Sequence, residues 1–151
     1  MTKIVVNKCY GGFHLSAEAT KMIAKLQGKE CYFFKMKSGL NYERVPIEEA
    51  NHLFVTAFCT PEAPKQDNEN WSTMTQEQKD ASNKAYEDCC IEDFSHDRTN
   101  PLLVQVVEKL GDKASLPTVS NLKVIEIPDD VEWVIEDYDG IETVHEAHRS
   151  W

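Results

Sequence analysis

The stretch Lys3–Gly28 constrains the fold more than any other part of the chain. It reads as a strand, a glycine turn and a helix in immediate succession. Lys3-Ile-Val-Val-Asn7 is short, β-branched and almost continuously apolar, the pattern of a strand inside a sheet. Gly11 and Gly12 follow, and adjacent glycines permit the positive φ and close backbone approach that a strand-to-helix turn needs. Ser16 suits an N-cap, and Glu18 sits where the helix dipole favours negative charge. Ala19, Met22, Ile23 and Leu26 recur at helical spacing, and Gly28 supplies a stop.

The rest of the chain alternates in the same manner. Glu30–Lys37 reads as a strand, Ser38-Gly39 as a turn and Asn41–Val45 as its partner. Ile47–Ala50 suits a single helical turn, and His52–Cys59 fits a strand or a short buried helix. Near 60–72 the composition turns to Pro, Asn, Asp, Gln and Lys, which predicts a mobile, solvated loop. Thr75, with Gln78 three residues on, has capping-box spacing, and the thin apolar stripe of Ala81, Ala85 and Cys89 predicts a peripheral helix. Asn100-Pro101 opens a third helix with Leu103, Val104, Val107 and Leu110 on its buried face, and Gly111 ends it. Asn121–Ile127 and Val131–Tyr138 read as strands joined by Pro128-Asp129-Asp130 into a hairpin, and Asp139-Gly140 turns the chain again. These elements predict one domain over residues 1–151, α+β or α/β. Its sheet is mixed or antiparallel with about five to six strands, accompanied by about three helices.

Charge and cysteine usage exclude several classes. A chain of 151 residues can bury roughly 70% of its unfolded surface, so no metal or disulfide staple is required. A net charge of −10 argues against general nucleic-acid binding, which needs a basic face, but leaves room for one small nucleotide. No apolar run is long enough to span a membrane, and the opening residues lack the pattern of a signal peptide, which points to the cytoplasm. The five cysteines (Cys9, Cys31, Cys59, Cys89 and Cys90) form no C-x-x-C, as expected of reduced, packed thiols. Cys9 is the best placed of them for a catalytic role.

The glycine turn is the leading candidate for a ligand site. Gly11 and Gly12 could present N–H groups to an anion near a helix start, although neither G-x-G-x-x-G nor the phosphate-loop pattern occurs. Tyr10 and Phe13 offer stacking faces and His14 a donor; alternatively both aromatics are core anchors and the glycines make room. Of the three arginines, Arg44 and Arg98 could neutralise a phosphate, and Asn7 and Asn100 could read polar base edges. The alternative for Arg98 is pairing with Asp97 at an ordinary helix start. No constellation suits catalysis: no nucleophile elbow is present, and hairpin alternation puts most of the nine carboxylates of Glu126–Glu146 on a solvated face. Were the tail helical, Glu142, His145 and His148 would approach one face. H-E-x-x-H is missed by one residue, so no metal site and no cofactor is expected.

Lys3-Ile-Val-Val-Asn-Lys-Cys-Tyr-Gly-Gly-Phe-His-Leu-Ser16 resembles the opening of a widespread group of small bacteriophage proteins. Asn100–Gly111, Leu122–Trp133, Tyr138-Asp-Gly140 and His148-Arg-Ser-Trp151 carry the same likeness, which leaves Lys35–Asp93 uncovered. Within that group the chain is similar to the anti-Thoeris sponges, multimeric proteins that bind cyclic-nucleotide or cyclic ADP-ribose signals of bacterial defence. The resemblance implies a homo-oligomer that sequesters such a ligand without chemistry. The competing expectations are an acidic inhibitor of a host protein and a small hydrolase using Cys9.

Overall fold

A computed structural model describes residues 1–37, 42–64 and 71–147. The chain is α+β, with small antiparallel sheets and three α-helices among the described residues. The Ser38-Gly39 turn and the closing His148–Trp151 segment lie outside the described residues, as does 65–70 of the loop expected to be mobile.

Strand β1 (Thr2–Asn7) runs antiparallel to β5 (Leu122–Ile127), in register from Thr2 opposite Ile127 to Asn7 opposite Leu122. Ile4, Val5, Val6 and Asn7 are fully buried, as the unbroken apolar run requires. Helix α1 (Ala17–Leu26) starts where Ser16 Oγ accepts the Ala19 N–H at 3.1 Å. It ends in a Schellman motif: Lys29 N–H donates to Ala24 C=O, Gly28 N–H donates to Lys25 C=O, and Gly28 takes φ +73°. Helix α3 (Pro101–Leu110) is capped by Asn100, whose Oδ1 accepts the Leu102 N–H at 2.9 Å. Ile23 of α1 and Leu103, Val106 and Val107 of α3 close on Val5 and Leu122 to form the main core.

A second sheet has the order β3–β2–β4, with β2 at Tyr32–Met36, β3 at Tyr42–Val45 and β4 at Val55–Phe58. Phe33 packs with Ala17 of α1 in a smaller core, while Phe34 meets Phe58 at 5.4 Å. Phe58 meets Tyr86 of helix α2 (Gln76–Cys89) edge-on at 5.6 Å. That helix has the expected capping box at Thr75 and Gln78, and none of its residues is buried. It is peripheral because its apolar stripe is one residue wide.

The expected Pro-Asp-Asp hairpin is not formed. β5 pairs with β1, and β6 (Trp133–Tyr138) pairs instead with β7 (Ile141–Glu146) across Asp139-Gly140. Both partners of β5 were chemically acceptable; the two-residue turn with φ > 0 at Asp139 and Gly140 makes the tighter hairpin and takes β6. It also makes the tail a strand through Glu146, so Glu142 and His145 do not share the helical face that a metal site would have required.

Candidate functional site

The glycine turn lies at a junction of four chain segments. The Asp139-Gly140 turn packs directly onto it: a Cβ on Gly140 would fall 2.1 Å from the Tyr10 carbonyl oxygen and 2.7 Å from the Gly12 nitrogen. On the other side, a Cβ on Gly11 would fall 2.1 Å from the carbonyl oxygen of Val119. Gly11 therefore permits a close approach of backbone to backbone, and Gly12 supplies φ +93°. Asn7 ties the junction from within. Its Nδ2 donates to the carbonyls of Cys9 (2.6 Å) and Gly140 (2.7 Å), and its Oδ1 accepts the Asn121 N–H at 2.8 Å.

Arg98 and Glu142 form the centre of this arrangement. The guanidinium binds the carboxylate through both nitrogens, at 2.6 and 2.8 Å, and the two side chains are 11% and 7% exposed. Arg98 Nε also donates to Ser95 C=O, and the guanidinium carbon lies 4.0 Å from the centre of the Phe13 ring. Arg98 additionally replaces a strand along the outer edge of β1: its C=O accepts the Val5 N–H at 2.9 Å and its Nη1 donates to Val5 C=O at 3.2 Å. Glu142 continues that edge by accepting the Asn7 N–H at 2.8 Å. The anticipated partner Asp97 instead accepts from the Asn100 side chain. The sequence singled out Glu142 only beside His145 and His148 and gave no sign of its pairing with Arg98.

Asn7, Tyr10, Gly11, Gly12, Phe13 and Arg98 are thus brought together. Asn7, Phe13 and Arg98 are bonded or stacked within the protein, while the Tyr10 side chain is 65% exposed. Asn100 faces its own helix start. His14 lines a narrow hollow of about 250 Å³ between the start of α1 and the second sheet. Arg44 is elsewhere, on β3.

Arg44 borders the more suitable cavity. A cleft of about 490 Å³ is lined by Lys21 of α1, Cys31, Tyr32, Phe33, Arg44 and Ile47 among others, and by no carboxylate. This volume is within the range of small-molecule sites. Arg44 stacks over Tyr32 at 4.4 Å, and neither Arg44 nor Lys21 has a carboxylate partner among the described residues. A larger hollow of about 750 Å³ adjoins the chain start and α3, but Glu108 lines it and binds its Lys3 at 2.8 Å.

Burial pushes the Cys31 thiol up to about 11, an effect that neighbouring Lys21 partly offsets. The group is therefore a thiol, not a nucleophilic thiolate, at neutral pH. Relative to the ordinary value of 9.0, the thiolate fraction near pH 7.5 falls about 100-fold. Cys31 in the folded protein is expected to react with iodoacetamide about 100-fold more slowly than in the urea-unfolded chain, read by peptide mass spectrometry; equal rates would contradict the burial. Between pH 9 and 11 the unfolded chain loses this proton first, so stability falls as pH rises through that window.

Among the described residues, no helix is long and apolar enough to cross a membrane. No protein-family model matches the chain, and no curated protein or solved structure is detectably similar to it.

Proposed function

We propose that the protein is a phage-encoded, non-catalytic binding protein of the host cytoplasm. It sequesters a cyclic nucleotide or cyclic ADP-ribose signal and so blocks anti-phage defence, with the ligand phosphate held in the Lys21–Arg44 cleft. The observation that carries the reading is a pair of cations without carboxylate partners among the described residues, beside an aromatic ring, on a chain of net charge −10. A strongly acidic protein repels small anions at long range, so a cationic cleft is where one can settle. The Arg44 guanidinium, held over the Tyr32 ring, offers an N–H fork that matches two phosphate oxygens, and Lys21 adds a point charge. Arg98, which the sequence suggested for this role, is already neutralised by Glu142. The resemblance to sponges adds the expectation of a homo-oligomer.

Calorimetric titration with cyclic dinucleotides, cyclic trinucleotides and cyclic ADP-ribose isomers tests this. At least one should bind with micromolar Kd or tighter. Arg44→Ala and Lys21→Ala should each weaken it about 10- to 100-fold, the worth of one hydrogen bond to a charged group. Both side chains are exposed, so thermal stability should be unchanged. Absence of binding, or binding indifferent to both substitutions, would overturn the assignment.

One observation favours the rival reading of an acidic protein-interaction surface. The β6–β7 hairpin has no further strand partner among the described residues, and it exposes Val134 (43%) and Tyr138 (79%) among Glu132, Glu136 and Asp137. Such an edge can accept an extended basic segment.

A further inference from the structure

Three of the five cysteines meet where β4 ends and α2 runs out. Phe58 and Cys90 form an antiparallel bridge, flanked by hydrogen bonds from Ile91 N–H to Ala57 C=O and from Cys59 N–H to Cys89 C=O at 2.7 Å. The second of these bonds sets Cys59 against Cys89, the last residue of α2. Backbone segments joined by such a hydrogen bond bring their Cα atoms to about 5.5 Å. Disulfides span Cα separations of about 4.4–6.8 Å. Both residues are half-buried, and each thiol reaches across to the other segment: Cys59 Sγ lies 3.6 Å from Asp88 C=O and Cys89 Sγ lies 3.9 Å from Thr60 Oγ1. Cys90, one residue on, pairs with fully buried Phe58 in the bridge. Burial pushes its thiol up, which disfavours the thiolate there.

We propose that Cys59 and Cys89 are a modification site, a thiol pair that peroxide converts to a disulfide. In the first step the thiolate of one cysteine attacks hydrogen peroxide, breaking the O–O bond and leaving a sulfenic acid and hydroxide, which takes up a proton as water. In the second, the other cysteine's thiolate attacks the sulfenic sulfur and expels the hydroxyl group as a second water. Two thiols and one peroxide thus give one disulfide and two waters, and a dithiol reductant reverses the reaction. The bond has a structural consequence. Helix α2 has no buried residue, and its end meets the β4 segment through Tyr86 against Phe58 and a few hydrogen bonds, so a covalent link at Cys89 fixes that end to the segment.

The test treats the full-length protein with hydrogen peroxide, alkylates the remaining thiols and maps cross-linked peptides by mass spectrometry. A Cys59–Cys89 peptide, two mass units lighter than the sum of its reduced parts, is expected. It should survive Cys90→Ser, vanish in Cys59→Ser and Cys89→Ser, and revert on reduction. Linkage through Cys90 would overturn the assignment, as would full alkylation of Cys59 and Cys89 in the treated wild-type protein.

Discussion

Glu142→Ala is expected to cost about 3–5 kcal/mol of folding stability, the range for removing one partner of a buried ion pair. The substitution leaves the Arg98 guanidinium charged and unpaired beside Phe13, and strips the Asn7 N–H of its acceptor. A whole domain is stable by about 5–15 kcal/mol, so this single change takes a large share. Glu142→Gln retains an acceptor and should cost less. The double variant Arg98→Met with Glu142→Leu should recover part of the loss, since apolar replacement of both partners removes the uncompensated charge. Urea denaturation of the four proteins measures this. A loss below about 1 kcal/mol for Glu142→Ala would place the ion pair among ordinary surface pairs.

Gly140→Ala should destabilise about as strongly, through geometry instead of charge. The residue has φ +95°, which alone costs a non-glycine side chain about 1–3 kcal/mol. Its Cβ would overlap the Tyr10 carbonyl at 2.1 Å, and no side-chain rotation relieves a clash with backbone. The hairpin turn would have to lift off the glycine turn, taking the Asn7–Gly140 hydrogen bond with it. Gly12→Ala supplies the control: its φ is +93°, yet nothing lies within 4 Å of the added Cβ. Thermal denaturation should therefore rank Gly140→Ala well below Gly12→Ala, and equal melting temperatures would contradict the close packing.

Local signals were the legible part of this fold. Ser16, Thr75 with Gln78, and Asn100-Pro101 each mark a helix start by hydrogen bonds within a few residues, and the structure has all three. Strand pairing is non-local: Val131–Tyr138 was read against Asn121–Ile127, and its actual partner lies across Asp139-Gly140. The junction was half visible. Gly11 and Gly12 announced a tight approach, but that the approaching segment is Gly140 depends on contacts about 130 residues apart, which no spacing rule encodes. Glu142 was hidden for the same reason: one carboxylate among nine in an acidic run carries no mark of burial. In the cleft, Arg44 could be singled out because arginine is scarce. Lys21 could not, since its approach to β2 and β3 is set by how α1 packs on the second sheet.

The claim that ligand is sequestered without chemistry is tested most directly by depletion and recovery. Protein in molar excess is mixed with each cyclic dinucleotide, cyclic trinucleotide or cyclic ADP-ribose isomer, and free ligand is measured by chromatography before and after heat denaturation. One ligand should disappear from the free pool in proportion to protein and return intact once the protein is denatured. A ligand pool that never falls, or one that returns as an opened or cleaved product, would contradict it.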